Sequence, residues 1–277
     1  MPPLAGGSLY RCRSCHVRFR WPRLSKQELD ALYLSGSLDN WTEPAEGRRD
    51  WAIARQWLES MRPDGASVLD VGCFDGSFLE SLGGRFAKHG VEIHSAALER
   101  SKSRGVEIVG NDFGALDRLA TAFDCITAFD VIEHMERPRG FLQQCAKAVR
   151  PGGLILIGTG NLDALTFRLM GSRCAYCHVA EHISFISPRW CQEQARQLDL
   201  KVERIATYCH GGTGLALFLS GAARSLFYKA LPGAFATLRK RGWGGVDAKL
   251  HPELAYTPPG WGGAEDHLMA LFEKPRL

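Results

Sequence analysis

The sequence predicts an α/β fold in which a largely parallel sheet carries helices on both faces, and three observations predict it. From Ser67 onward, short β-branched or apolar runs alternate with amphipathic helical stretches, the pattern of repeated βαβ units. The first of those runs, Val68-Leu69-Asp70-Val71, enters a turn built on Gly72 and Gly76 that opens directly into a helix. The composition, with 45% apolar and 23% charged residues in 277, is that of an ordinary globular chain able to bury a sizeable core.

Before the alternation begins, residues 1–49 read as an appendage to a main domain over residues 50–277. The appendage holds Cys12-Arg-Ser-Cys15 and Trp21-Pro22. Ser25 and Glu28 then have the spacing of a capping box, which predicts a short helix through Leu29, Leu32 and Tyr33. The polar stretch from Ser35 to Arg49 reads as a linker or loop. Trp51, Ala54, Trp57, Leu58 and Met61 resume a helical period, and Pro63-Asp-Gly65 stops it.

Strands are expected near Ser67 to Val71, Gly90 to Ile93, Val106 to Val109, Cys125 to Phe129 and Leu154 to Gly158, with helices in the gaps. Pro151-Gly152-Gly153 delivers the chain into the fifth strand, and Ser187-Pro188 starts a helix reaching about Leu198. Val202 to Thr207 and His267 to Glu273 are the sixth and seventh strands. Between them, Cys209 to Asp266 is an insertion that breaks the alternation.

The charge is uneven. Arg11, Arg13, Arg18, Arg20, Arg23 and Lys26 supply most of the basic excess, and the remaining 28 basic residues face 30 acidic ones, so the chain as a whole lacks the footprint of a nucleic-acid-binding protein. An odd count of nine cysteines without a secretory leader points to a reducing, cytoplasmic setting. No apolar run reaches the ~20 residues needed to cross a bilayer.

The stretch Val68 to Leu79 carries the chemistry. A strand, a glycine turn and a helix N-terminus create a cofactor-sized crevice at the carboxyl edge of a sheet. Glu92 ends the second strand 22 residues after Asp70, where an acid can accept both ribose hydroxyls. Asp112, in Asn111-Asp112-Phe113, is placed to meet an adenine amino group. Phe74 stands where a dinucleotide fingerprint needs a middle glycine, and its side chain bars a pyrophosphate. S-adenosylmethionine, which has no phosphate, remains compatible. No Gly-Lys-Ser/Thr follows the turn, so a P-loop is excluded.

Asp70-x-Gly72-x-x-x-Gly76, Glu92, Asn111-Asp112, Phe123-Asp124, Asp130-Val-Ile-Glu133-His134 and Arg150-Pro-Gly-Gly153 occur in the order and spacing of class I S-adenosylmethionine-dependent methyltransferases. The Glu133-His134 pair most resembles the ubiquinone-biosynthesis O-methyltransferase branch. The resemblance covers Trp51 to Gly160 well, Glu181 to Thr207 moderately and the insertion hardly at all. It implies a Rossmann-like sheet of seven strands whose last strand runs antiparallel. It also implies that Asp70 and Gly72 line the methionine end of the cofactor, Glu92 the ribose, Asp112 the adenine and the Asp130 region the amino-acid moiety, with Phe74, Gly76 and Asn111 also expected among the cofactor-binding residues.

The expected reaction is O-methylation of a small-molecule hydroxyl on a quinone, sugar or natural product. An RNA methyltransferase and a cofactor-binding protein without catalysis are the alternatives. His134, at the sheet edge and with an unperturbed pKa of ~6.5, is the first candidate base, Glu133 its orienting partner and His182 the second candidate. The resemblance also raises a divalent metal held by Asp130, Glu133 and His134, as in the ubiquinone-pathway enzymes, but the reading assigns no metal.

Three features lie outside these motifs. Cys12-x-x-Cys15 and Cys174-x-x-Cys177 together have the makings of one zinc site, against the favoured reading that these are chance cysteines. Arginines interleaved with Tyr10, Phe19 and Trp21 suit RNA by charge and stacking, against a solvated basic face, which is preferred. The apolar residues of 211–241 suit either a membrane surface or a lid over the acceptor pocket, and the lid is preferred. Oligomeric state leaves no mark in the sequence.

Overall fold

A computed structural model describes residues 8–25, 27–29, 31, 48–243 and 255–276. Its centre is a seven-stranded sheet in the order β5-β4-β3-β6-β7-β10-β9, with β3 at Ser67–Val71, β4 at Ala87–Val91, β5 at Glu107–Gly110, β6 at Phe123–Phe129, β7 at Val149–Gly160, β9 at Lys201–Tyr208 and β10 at His267–Glu273. The five strands from β5 to β7 run parallel, and β10 is antiparallel to both β7 and β9.

The inner strands alternate between two cores. Leu69, Val71, Ile126, Ala128, Ile155 and Ile157 face one core, which α4 (Pro138–Ala148) and α6 (Pro188–Gln197) cover with Phe141, Leu142, Trp190 and Cys191. Val68, Cys125, Leu154 and Leu156 face the other, covered by α1 (Arg49–Met61) and α2 (Ser77–Ser81) through Ala54, Leu58, Phe78 and Leu79. A sheet clad on both faces explains why these strands read as nearly unbroken apolar runs. Each fully buried large side chain contributes roughly 1.5–3 kcal/mol.

Local signals set the element ends. Ser187 caps α6 by accepting the Trp190 N–H at 3.2 Å, with Pro188 as the first helical residue. Ser25 and Glu28 make a reciprocal capping box, the Ser25 N–H donating to Glu28 at 2.7 Å and the Glu28 N–H to Ser25 Oγ at 3.3 Å. Residues 27–29 are helical, while Leu32, Tyr33 and nearly all of the expected linker lie outside the described residues.

Three expectations need correcting. β7 begins at Val149, five residues before the expected Leu154, because Val149 already pairs with Phe123, so Pro151-Gly152-Gly153 lies within the strand at an irregularity in its pairing with β6. β4 runs from Ala87, three residues earlier than expected, because backbone pairing with all of β3 recruits the polar Lys88 and His89. After Asn111-Asp112 the chain makes a 3-10 turn at Phe113–Arg118 in place of an α-helix, with the poor helix former Gly114 at its second position.

Residues 8–21 are joined to the rest of the chain. β1 (Ser8–Arg11) and β2 (Arg18–Trp21) form a hairpin, and β2 pairs with β8 (Ser184–Phe185) to complete a second, three-stranded sheet. The buried Arg20 guanidinium bonds the carbonyls of Cys177 and Val179 and locks the two parts together. The insertion folds into α7 (Leu215–Ala230) and α8 (Pro232–Lys240), with residues 244–254 outside the described set. Among the described residues, no helix is long and apolar enough to cross a membrane.

Candidate active site

The carboxyl ends of β3, β4 and β6 converge on one crevice. Gly72 has φ +76°, and a Cβ there would lie 2.6 Å from Val131 Cγ2, so the backbone can approach a ligand only as glycine. Gly76 has φ +80°, and its Cβ would lie 2.8 Å from Ser101 Oγ. Phe74, between them, holds φ +47°, the left-handed region, so a side-chain-bearing residue stands in a backbone conformation that favours glycine. Glu92 accepts the Phe74 N–H on one carboxylate oxygen and the His94 N–H on the other, each at 2.8 Å. Burial pushes its pKa up against those two bonds. Each oxygen keeps a lone pair for a ligand hydroxyl.

Asp70 is buried and accepts the Thr127 hydroxyl at 2.6 Å. It does not cap the following helix, whose N-cap is Gly76. Burial pushes its carboxyl up to about 7 despite the Thr127 bond, with the neighbouring Glu92 adding to the rise. Asn111 and Asp112 are exposed beyond the end of β5, and the Asp112 side chain makes no cap bond to the turn that follows.

Asp130, at φ +53° directly after β6, meets Arg48 at 2.8 Å, and Arg48 also pairs with the buried Asp50. Burial alone would raise Asp130, but Arg48 and His267 hold it below the usual carboxylate range. This leaves Asp130 an anion beside a cation, a pair suited to gripping the charged ends of an amino acid. Sequence reasoning assigned Arg48 to a linker and missed it.

Beyond Asp130, Glu133 is fully buried. Its carboxylate accepts the Tyr176 phenol on one oxygen and the Thr159 hydroxyl on the other, at 2.8 Å from Thr159. Burial and the nearby Asp130 push it up to about 7. Glu133, His134 and His182 each offer a ligand atom within 4.8 Å of the others. Asp130, which the resemblance grouped with Glu133 and His134, lies outside this cluster and pairs with Arg48.

His134 Nδ1 lies 3.0 Å from the Glu181 carbonyl and His182 Nδ1 2.9 Å from the Tyr176 carbonyl. A carbonyl only accepts, so both Nδ1 atoms carry hydrogen and both Nε2 atoms carry the lone pair. Burial lowers His134 and, helped by His134, pushes His182 down to about 3. His182 is thus a neutral imidazole with little appetite for a proton.

A third imidazole went unremarked in the sequence because it opens a strand. His267 Nδ1 lies 2.9 Å from Asp266 Oδ1. Burial would lower His267, but Asp266, reinforced by Asp130 and Glu133, outweighs it and holds the ring above its ordinary value. Asp266 and His267 line a cavity of about 160 Å³ together with Met170, Cys174, Tyr176 and Trp261. The insertion supplies part of the wall through Ser225 of α7 and Trp261. Tyr176 belongs to both the cavity and the Glu133 cluster, and its ring needs Gly160 opposite it, where a Cβ would come within 2.5 Å.

The four cysteines of the two CxxC pairs do not converge. Cys12 and Cys15 pack against the core under α6, whereas Cys174 and Cys177 are buried in a separate cluster with Phe167 and Phe235. The basic stretch loses Arg20 to its buried carbonyl bonds, while Tyr10 and Trp21 stay exposed.

Residues 45–205, over half of the chain, match a family described as a methyltransferase domain. The ubiquinone biosynthesis O-methyltransferase of Thiobacillus denitrificans is 28% identical over 167 residues, covering 54% of this chain and 71% of that protein. The chain spans about two thirds of the length of such curated relatives. Among solved structures, a chain of the complex between the Haloferax volcanii Trm112 methyltransferase activator and a methyltransferase superposes with a TM-score of 0.58 at 14% identity, covering 90% of this chain and 98% of that one. The N-methyltransferase NodS of Bradyrhizobium japonicum, solved with S-adenosyl-L-homocysteine, gives 0.51 at 18% identity, with 90% and 98% covered. At such identities the superpositions speak for the fold.

Proposed function

The chain belongs to the class I S-adenosylmethionine-dependent methyltransferases, and from that premise we propose that it methylates a hydroxyl on a small acceptor whose ring seats in the cavity beside His267. The observation that carries this reading is the meeting, at one cavity, of the Asp266–His267 pair with mostly apolar walls. An apolar cavity of ~150 Å³ holds one benzene ring. An aromatic or quinone-derived hydroxyl therefore suits it better than a sugar.

S-adenosylmethionine, when bound, supplies a methyl group already activated by its sulfonium. Glu92 accepts the ribose hydroxyls, Gly72 lets the backbone close on the methionine end, and Arg48 with Asp130 holds the amino-acid charges. Asp112 is free to meet the adenine. Alignment of the two reactants can lower the barrier by roughly 7–11 kcal/mol. Asp266 fixes the Nδ1–H tautomer of His267, so Nε2 takes the hydroxyl proton, a contribution of roughly 10²- to 10⁴-fold. We thereby move the base from His134 and His182 to His267, because burial weakens the first two and Asp266 strengthens the third.

A second reading gives Glu133, His134 and His182 a divalent metal, supported by their mutual spacing and by the two Nε2 lone pairs. The metal would orient the acceptor oxygen.

Incubation with labelled cofactor and a panel of phenolic, catecholic and sugar acceptors tests the first reading. Methylated phenol or catechol supports it. Cofactor binding with no product on any acceptor favours a protein without catalysis, and transfer to RNA favours the nucleic-acid alternative. Activity lost in chelator and restored by one divalent ion supports the metal.

A further inference from the structure

The outer face of α7 has no partner among the described residues. Leu215, Leu219 and Leu226 are 74%, 56% and 51% exposed, and they recur with Ala223 at i, i+4, i+8 and i+11. On a helix that spacing makes one continuous stripe. The buried stripe of the same helix, Gly221, Ser225 and Tyr228, lies around the other side, where Ser225 lines the cavity. A helix packed on a protein in water alone would place polar residues outward. Here the apolar surface continues onto the next turn and helix, with Leu231 57% exposed and Leu238 and Trp243 also exposed.

The charge of the segment selects the occupant. Residues 209–243 contain five Lys or Arg and no Asp or Glu. Arg224 and Lys229 lie on α7 to either side of the leucine stripe, and Lys240 and Arg241 close α8. Arg239 is buried against Thr257 and Lys229 bonds the Leu169 carbonyl, which leaves Arg224, Lys240 and Arg241 as the surface cations, and a second copy of this chain would set these against their own kind. An anionic lipid surface satisfies both features, since leucines enter the acyl boundary while cations meet the headgroups and a tryptophan sits at the interface.

We propose that α7 and α8 dock the protein on an anionic membrane surface, lying in its plane and not crossing it. The proposal goes beyond the methyl-transfer reading and does not depend on it. It reconciles the two expectations for the insertion, because α7 roofs the cavity with one face and presents the other to lipid.

Vesicle flotation of the full chain tests it, using phosphatidylcholine vesicles with and without about a third phosphatidylglycerol. The wild type is expected to float with the anionic vesicles, less with the neutral ones, and less in high salt. The double variant Leu219→Glu, Leu226→Glu should lower the bound fraction about tenfold or more while keeping its thermal melt, because both side chains face solvent. Lys240→Glu with Arg241→Glu should weaken anionic binding specifically. A wild type that stays unbound on anionic vesicles overturns the proposal, as does a leucine variant that floats equally well. So does a wild-type dimer that the leucine variant dissociates.

Discussion

Asp266 Oδ1 stands 2.9 Å from His267 Nδ1, two consecutive residues at the mouth of β10 forming a carboxylate–imidazole pair. His267→Asn should lower kcat by roughly 10²- to 10⁴-fold while leaving the cofactor Kd near its wild-type value. Asp266→Asn should lower kcat less and shift the ascending limb of the pH–rate profile to lower pH, because the anion that raises the imidazole is gone. Steady-state kinetics of both variants decide this; full turnover in His267→Asn removes the base assignment.

Asp70 sets a pH dependence of stability. Its folded pKa of about 7 lies above the ordinary aspartate value of 3.8, so between those values the native state binds more protons than the unfolded chain. The associated stability is therefore fully present at low pH and lost as pH rises toward 7. Asp70→Asn should flatten that slope in thermal melts taken from pH 4 to pH 8, by up to roughly 1 kcal/mol per pH unit in that window.

Tyr176 supports the Glu133 cluster from inside the cavity wall. Its hydroxyl donates to Glu133 and accepts the Gly160 N–H at 2.9 Å. Tyr176→Phe leaves both partners buried and short of a bond, at a cost of about 1–3 kcal/mol each. A clear fall in melting temperature is expected, whereas Phe167→Tyr offers no such test, because Phe167 is packed in an apolar cluster.

Cofactor affinity should depend on Glu92. Glu92→Gln retains one acceptor oxygen but turns an N–H toward the Phe74 or His94 amide, and it removes the charge that strengthens bonds to ribose hydroxyls. Calorimetry should show the Kd for S-adenosylmethionine rising about 10- to 100-fold, the equivalent of ~1.5–3 kcal/mol for a bond to a charged group.

Much of the sheet could be read from the sequence because its strands are buried on both faces and short turns punctuate them. Ser67–Val71 and His267–Glu273 fall where expected. The places of Gly72, Gly76 and Glu92 on consecutive βα turns, where a cofactor was expected, were equally legible. The acceptor side was not. Tyr176 meets Glu133 across 43 residues, and Arg48 meets Asp130 across 82. No local period encodes such meetings, which arise only when the long-range sheet order brings loops together. A His opening a strand and an Arg closing a polar stretch carry ordinary local signals, so His267 and Arg48 passed for scaffold.

β10 sits between β7 and β9, although it is the last of the three to leave the ribosome. At roughly 5–20 residues per second, β7 emerges many seconds before the strand that will cover its edge. The nascent protein thus carries an open parallel sheet with a ready template for stray strands, and β9 has no place to add until β10 arrives. The same event that seals this edge delivers His267 and Asp266 beside Tyr176. The proposed base and protection from aggregation are therefore acquired together, late in synthesis, and a chaperone that shields the β7 edge would be guarding the birth of the proposed acceptor site.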